Sequence, residues 1–486
     1  MKKMNKQVFK YINIRSVLTL TLSTLVFQSC VPVKTVRDEK KDLPEQFQNT
    51  VSNDTTNSAQ MKWKEFFNDT KLAMLIDTAL VNNQELNIML QQIDMAKNEI
   101  QARKGEYLPF LGIQAAAEVE KVGRYTSQGA NDANTDIKPG EEFPEPLQNY
   151  KVGAFATWEL DVWKKLRNSK KAAAMEYLST VEGRNFMVTN LIAEIADSYY
   201  ELQALDNKLA ILTQNLELQN HGLKTIRLQM QAAKATALGV QRLEAEVYKN
   251  TSELYNVKQD IVETENKLNF LVGRSPQHIN RDSDTFIDQK IDTMYVGIPS
   301  QLLTNRPDIR QAEYELQAAK LDTQVAKANF YPSFTLRAGV GLESFKTKYI
   351  TATPESLLYG LAGDMVAPLI NRNAIKAIYY NANDKQLQAV FDYEKTILNA
   401  HIEVLNGLSK IENLKKSYEQ KEHQVEALTN SIEITNKLFS AARADYMEVL
   451  LTQRDALESK LQLVETKKEQ LTAKVNMYKS LGGGWN

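Results

Sequence analysis

Side-chain chemistry needs nucleophiles, acids or metal ligands held together, and this sequence offers few candidates. Cys30 is the only cysteine, so a disulfide within the chain is impossible and thiol metal clusters are excluded. His221, His278, His401 and His423 are scattered, three of them in helical stretches, without the i, i+4 pairing and third ligand that a zinc site needs. They read as exposed polar residues. Gly339-Val340-Gly341 lies inside an expected strand with no helix after it, so it is not a dinucleotide loop. Gly482-Gly483-Gly484 is followed by neither lysine nor helix. Aspartate and glutamate are abundant, but a carboxylate pair cannot be assigned to catalysis on the surface of a coiled coil. The sequence therefore gives no catalytic, cofactor-binding or metal-binding residue, and an enzyme is not expected.

Cys30 matters by its position. Lys2, Lys3, Lys6, Lys10 and Arg15 precede an apolar run from Val17 to Phe27 that ends at Ser29-Cys30, the layout of an export signal. Leu25-Val26-Phe27-Gln28-Ser29-Cys30 resembles a bacterial lipobox, in which the thiol is diacylated and becomes the first residue of the mature protein; Phe27 stands where leucine is usual. Lipid attachment of this kind gains about 0.8 kcal/mol per buried methylene. The apolar run is shorter than the roughly 18 residues a membrane helix requires, and no other segment approaches that length, so a membrane span would have to be made of strands. The formal net charge of -1 leaves no basic field for nucleic acid.

The elements that would position a site come from an internal repeat in a chain of 486 residues. Leu80 to Leu86 lines up with Leu303 to Ile309, and Pro109 with Pro332, at an offset of about 223 residues. Leu160 to Arg167 lines up with Leu369 to Lys376, and Ala232 to Val240 with Ala441 to Val449, at about 209. Some 14 extra residues thus fall in the first half, within the Gly-, Asn-, Asp- and Pro-rich stretch from Ser127 to Pro146, which is expected to be an exposed loop. Each half reads helix, two strands, long helix, turn, long helix. Phe334, Leu336, Ala338, Val340 and Leu342 alternate with Thr335, Arg337, Gly339, Gly341 and Glu343; Leu111 to Val119 and Val152 to Trp158 alternate likewise. Such strands fit either a soluble sandwich or a lipid-facing barrel with a wet lumen. Four strands cannot close a barrel that needs at least about eight, so on the second reading several protomers must contribute.

Heptads fill the helices. Ile195, Leu202, Leu205, Leu209, Leu212, Leu216, Leu223, Ile226 and Met230 follow steps of three and four, broken only at Ser198 and Gln219. The pattern resumes from Leu243 to Leu271, beyond a turn placed near Ala237 to Gly239, and again from Leu457 to Tyr478. The upstream helix of the second half reads as less regular. No proline falls between Pro146 and Pro276 or after Pro368, so the helices can run unbroken.

Four motifs in this order resemble the TolC-like outer-membrane factors, most closely the lipoprotein branch serving resistance-nodulation-division pumps, over nearly all of the mature chain. They are Trp63-Lys64-Glu65-Phe66-Phe67, Trp158-Glu159-Leu160-Asp161-Val162-Trp163, Asn305-Arg306-Pro307-Asp308-Ile309-Arg310 and Leu481-Gly482-Gly483-Gly484-Trp485. The resemblance implies a mainly α protein with a transmembrane β part: four strands per protomer in a trimeric 12-stranded β-barrel, continued by a long antiparallel coiled-coil periplasmic tunnel. It implies a homotrimer in outer-membrane lipid that meets a periplasmic adaptor protein and an inner-membrane pump, with no cofactor and no nucleic acid. The implied layout is a signal peptide over 1–29, an acylated linker over 30–60 and a first repeat over 61–275, with strands near 107–121 and 149–161 and a helical hairpin near 165–272. A linker over 276–300 and a second repeat over 301–486 follow, with strands near 331–346 and 355–369 and a hairpin near 374–481. Hairpin tips fall at Ala232 to Gly239 and Ala441 to Tyr446, and the family's tips meet the adaptor, which makes Lys234, Arg443 and Asp445 candidate contacts. Matching Asp445 to Leu451 to the family's constriction puts Met447 in an apolar ring and Glu448 in an acidic ring, with Leu451 where a second acid is usual. Three carboxylates around a narrow pore would repel one another and attract cations. Ala233 and Ala442 stand where the family's turns often carry glycine. The reading is a passive exit duct; the alternatives are a coiled-coil spacer lipoprotein and an outlet for type I protein secretion.

Overall fold

The structure, a computed structural model, describes residues 37–47, 56–290, 294–370, 372–441 and 443–485. The signal peptide, Cys30 and Ala442 lie outside these residues. The chain divides into two units. One gathers Met95–Tyr177 and Glu315–Val390 around a β-sheet; the other gathers Glu39–Asp94, Leu178–Tyr314 and Phe391–Asn486 and is helical.

In the first unit, β1 (Phe110–Glu120), β4 (Leu147–Leu160), β5 (Ser333–Ser344) and β6 (Leu357–Val366) form an antiparallel sheet in the order β1-β4-β5-β6. Three of these, β1, β4 and β5, are the strands expected from alternation, and β6 falls within the segment 355–369 that the resemblance implied. The insertion expected as an exposed loop instead folds locally. Thr126 Oγ1 accepts from the Gly129 N–H and opens a short helix, α4 (Ser127–Asp132), and β2 (Asp136–Lys138) pairs with β3 (Glu141–Glu142).

The second unit opens with α1 (Trp63–Phe67) and α2 (Thr70–Asn82), followed by α3 (Gln84–Tyr107), which runs on into the first. The long helices are α5 (Lys165–Gln231) and α6 (Ala237–Val272) in the first half, and α9 (Asn373–Ser440) and α10 (Tyr446–Ser480) in the second. At 1.5 Å per residue α5 is about 100 Å long. The second half of the repeat opens with α7 (Leu302–Asn305) and α8 (Pro307–Ala328), at the positions that α2 and α3 hold in the first. The core joins Leu72 and Ile76 of α2, Ile192, Ile195 and Leu202 of α5, Leu268 of α6 and Leu471 of α10. Each such side chain contributes about 1.5–3 kcal/mol on burial.

Helix α9 corrects the reading of an irregular second half. Residues 379, 383, 386, 390, 393, 397, 400 and 404 are all buried, an unbroken alternation of four and three. Residues 407, 411, 414, 418, 421, 425, 428, 432, 435 and 439 continue it half-buried. The seam is disguised because Asn383, Gln386, Gly407 and Lys421 occupy it. His401 is likewise not the exposed polar residue expected: its ring stacks on the buried Phe47 at 5.5 Å. His221, His278 and His423 are exposed.

Three of the four motifs meet in one cluster of the helical unit. The buried Arg306 guanidinium donates to Asp308 Oδ1 and Oδ2 at 3.0 and 2.7 Å, to Glu403 Oε2 at 2.7 Å and to the Ser480 carbonyl at 2.9 Å. Trp485 Nε1 donates to the carbonyls of Asn305 and Gly482. Gly482 has φ +90°, and a Cβ there would lie 2.5 Å from the Asn305 carbonyl oxygen, so only glycine fits. Phe66 stacks on Tyr478 at 4.0 Å, and the Tyr478 hydroxyl donates to the Met61 carbonyl. These signatures lock the C-terminus against α1 and α8.

Candidate channel wall and gate

The register of the sheet gathers most of its apolar residues on one face. Ile113 sits opposite Ala154, Ala154 opposite Val340, and Val340 opposite Tyr359; one step along, Ala156, Ala338 and Leu361 align. Ile113, Tyr359 and Leu361 are each more than four-fifths exposed. An apolar face of this extent, left bare, is the mark of a surface that belongs against lipid or protein. The opposite face carries Glu118, Lys151, Glu159, Arg337, Glu343 and Asp364. Lys151 faces Glu343 in register, and Arg337 Nε lies 3.5 Å from Asp364 Oδ2. This polar face is thinned at mid-height. Gly153 faces Gly341, and a Cβ on either would lie 2.7 or 2.6 Å from a carbonyl oxygen of the other strand, while the Phe155 ring covers Gly112. Missing side chains on one face let a sheet curl toward it, which makes the polar face the natural inside of a barrel. Both outer strands, β1 and β6, leave one edge without a partner within the sheet. Among the described residues no helix is long and apolar enough to cross a membrane.

The corner from β4 into α5 is built by the remaining motif. Trp158 Nε1 donates to the Tyr107 carbonyl and Trp163 Nε1 to the Pro332 carbonyl, with the Trp163 ring stacked on Tyr331 at 4.7 Å. Asp161 accepts from the backbone N–H groups of Leu166 and Arg167 and from Arg167 Nε. Burial pushes its carboxyl up, but the Arg167 side chain and the two backbone donors outweigh that and hold it below the usual carboxylate range.

At the far end of the helices each hairpin closes in the same way. The Lys234 N–H bonds the Gln229 carbonyl and the Ala233 N–H the Met230 carbonyl, with Ala233 left-handed at φ +58°. The Arg443 N–H bonds the Leu438 carbonyl in the matching position. The first turn thus lies at 232–236, inside the tip expected over Ala232 to Gly239 but ahead of Ala237 to Gly239: Thr236 Oγ1 accepts from the Gly239 N–H and α6 has already begun. Lys234, Arg443 and Asp445 are exposed. Of the three constriction candidates, Glu448 and Leu451 are exposed one helical turn apart on α10, whereas Val449 and Leu450 are buried, Leu450 among Leu223, Ile226 and Leu243 of the tip core. Met447 is half-buried against that same core, with Sδ 3.9 Å from Arg242 Nη1. The repeat also points to Leu238, which is the counterpart of Met447 and is exposed.

Compared with known families, residues 75–274 and 298–483 match the outer membrane efflux protein model, the two segments reproducing the internal repeat. The chain belongs to the outer membrane efflux protein family. Relatives include the pyoverdine export outer membrane protein OpmQ of Pseudomonas aeruginosa, 26% identical over 469 residues that cover 96% of this chain and 97% of OpmQ. The cation efflux system protein CusC of Escherichia coli K12 is 24% identical over 448 residues, covering 91% of this chain and 93% of CusC. Among solved structures, CusC superposes with a TM-score of 0.78 at 22% identity, over 93% of this chain and 99% of that one. The open-state MtrE channel of Neisseria gonorrhoeae superposes with a TM-score of 0.80 at 21% identity, over 94% and 99%. This outer membrane efflux protein therefore shares with those channels a mainly helical fold with a four-stranded sheet and an internal repeat.

Proposed function

We propose that this outer membrane efflux protein is the passive exit duct of a tripartite system, a homotrimer whose sheets close a 12-stranded barrel and whose helices continue it into the periplasm. The observation that carries this is the four-stranded sheet with one bare apolar face and two unpaired edges. In lipid every backbone donor and acceptor must be satisfied, so β1 of one copy has to pair with β6 of another. Cys30 would be acylated and tether the linker 30–60 to outer-membrane lipid; the repeats 61–275 and 301–486, joined by 276–300, would supply the wall. Glu448 and Leu451, exposed together on α10, would face a constriction, with Met447 bracing it from the tip core. Lys234, Arg443 and Asp445 would meet a periplasmic adaptor that couples the duct to an inner-membrane resistance-nodulation-division pump. OpmQ and CusC are named for unlike cargoes, a pyoverdine and a cation, which supports small solutes in general as cargo, selected by the pump. The duct performs no chemistry of its own.

Planar-bilayer recording of the purified protein tests this reading. Conductance is expected to rise when Met447→Ala and Glu448→Gln loosen the constriction. Silent bilayers for both variants, with a far-UV spectrum lacking strand signal, would favour the coiled-coil spacer instead.

A further inference from the structure

Antiparallel pairing gives the sheet two unlike ends. The connections from β1 to β4 and from β5 to β6 close one end, and α3, α5, α8 and α9 all join the strands at the other. Within one helical turn of that helix-side end stand Lys104 on α3, Lys164 in the corner before α5, Lys327 on α8 and Lys376 on α9, one for each strand. All four are exposed, and among the described residues none of their ammonium groups meets an acid. The carboxylates nearby are already taken: Glu106 by Arg103 at 3.2 Å, Glu159 by Lys165 at 3.3 Å, Asp161 by Arg167 at 2.9 Å and Asp364 by Arg337 at 3.5 Å. The loop end differs, for there Lys346 meets Glu141 at 3.2 Å and Arg124 meets Glu145 at 2.9 Å.

The repeat puts Lys104 on Lys327 at the offset that aligns Pro109 with Pro332, and Arg167 on Lys376 at the offset that aligns Leu160 with Leu369, so both halves carry a base at the same two corners. Lys164 holds φ +61°, a left-handed backbone that a β-carbon disfavours, where the other half has Asn373. Apolar and aromatic side chains lie beside these bases. Leu108, Val162 and Leu369 are at least half exposed, and the Trp163 ring stacks on Tyr331. Arg167 lies over the Tyr107 ring, 6.0 Å from its centroid, and the Tyr107 carbonyl accepts from Trp158, which pairs with Leu336 on the apolar face. From the sheet toward the helices the order is apolar, aromatic, basic.

We propose that Lys104, Lys164, Lys327 and Lys376 form a collar that binds the phosphates of anionic glycerophospholipids in the leaflet nearer the helices. The inference rests on the membrane-spanning sheet proposed above and adds a lipid partner to it. Apolar, then aromatic, then basic is the order of side chains suited to the passage out of a bilayer core through its headgroups. Spacing decides between a lipid surface and a single anion. The four strands lie about 4.8 Å apart, so lysines at the ends of successive strands spread over about 14 Å. One free phosphate could reach a neighbouring pair at most, whereas a plane of headgroups meets all four. Lysine suits the task, since its stem lies along apolar surface while its ammonium reaches the headgroups. Each ammonium beside an anionic surface favours the contact roughly fivefold.

Trp158 and Trp163 report on lipid at this collar, while Trp63 and Trp485 belong to the helical unit and give a constant background. The test reconstitutes the purified protein in phosphatidylcholine vesicles and quenches its tryptophan fluorescence with phosphatidylglycerol or phosphatidylcholine brominated on the acyl chain. Phosphatidylglycerol is expected to be preferred roughly fivefold for each ammonium it meets. The fourfold variant Lys104→Gln, Lys164→Gln, Lys327→Gln, Lys376→Gln should lose that preference, and the same four positions changed Lys→Arg should keep it. Should the fourfold glutamine variant fail to fold, Lys164→Gln alone, beside Trp163, must lower the preference roughly fivefold. Equal quenching of the wild type by both lipids, or a preference that survives the glutamine variants, would overturn the inference, leave the spanning sheet intact and point to an acidic periplasmic partner instead. Loss of the preference on adding inorganic phosphate at constant ionic strength would assign the lysines to a free anion and overturn it too. No quenching by either lipid would overturn the collar and the spanning sheet together.

Discussion

Asp197→Asn should make this protein more stable at neutral pH and no more stable in acid. Asp197 lies on α5 between the buried Ala196 and Ser198, and its Oδ1 has no hydrogen-bond partner. Burial pushes its carboxyl up from 3.8 to about 6, against a hydrogen bond from Thr472 and the nearby Lys479, Lys267 and Lys410. At about 1.4 kcal/mol per unit, ionising this group in the folded protein costs about 3 kcal/mol more than in the unfolded chain. The folded state binds the proton more tightly, so this group favours folding most below about pH 4. That advantage is lost as pH rises to about 6 and stays lost above it. The amide keeps the shape and never ionises, so the variant should gain about 2–3 kcal/mol at pH 7.5 and nothing near pH 4. Thermal unfolding in detergent, followed by far-UV circular dichroism across that range, measures the difference between variant and wild type. Other titrating groups cancel in that difference. A gap that does not change with pH, or a variant less stable at pH 7.5, would refute the assignment of a destabilising buried carboxylate.

Arg306→Met should cost about 3–5 kcal/mol, because it strands the mostly buried Asp308 and the Ser480 carbonyl; the half-exposed Glu403 adds little. Arg306→Lys should recover only part of this, since an ammonium cannot span four acceptors, and thermal unfolding of both variants checks the order. Ile113→Lys, in the middle of the apolar face, should cost about 2–4 kcal/mol if that face meets lipid, and should lower the yield of heat-resistant trimer in the outer membrane. Glu118→Lys on the opposite face should leave that yield unchanged and shift the conductance toward anions. Ala233→Gly should relieve about 1 kcal/mol at the left-handed end of α5, read as roughly fivefold slower hydrogen exchange of the Lys234 amide.

The sheet was legible in the sequence because its period of two is exact and its two faces differ sharply in polarity. One phase of alternation fits each strand, and the register follows once the apolar residues are put on a common face. The roles of the motifs were not legible. Asn305 to Arg310 and Leu481 to Trp485 were recognisable only as resemblances, since Arg306 holds partners 97 and 174 residues away and only folding brings them together. The seam of α9 escaped for another reason. Heptads are read by counting apolar residues, and this seam spends its positions on Asn383, Gln386 and Lys421, which leave the geometry intact while erasing the hydrophobic signal.

The internal repeat limits what the hairpin tips can do. Ala232-Ala233-Lys234-Ala235-Thr236 and Ala441-Ala442-Arg443-Ala444-Asp445 are one turn written twice, so their backbone closure and basic side chain are shared by both hairpins. The residues that follow are not shared. Gly239 is buried at the start of α6, whereas its counterpart Glu448 is exposed at the start of α10. A carboxylate in the first turn of a helix is stabilised by the dipole and needs no partner side chain, so Glu448 is free to face a lumen without being drawn back into its own hairpin. Charge at the constriction would therefore come from the second hairpin alone, one carboxylate per copy, and the first hairpin would offer only Leu238. A tunnel end built this way alternates acidic and apolar sectors, and it is the acidic sector whose removal should change which ions pass.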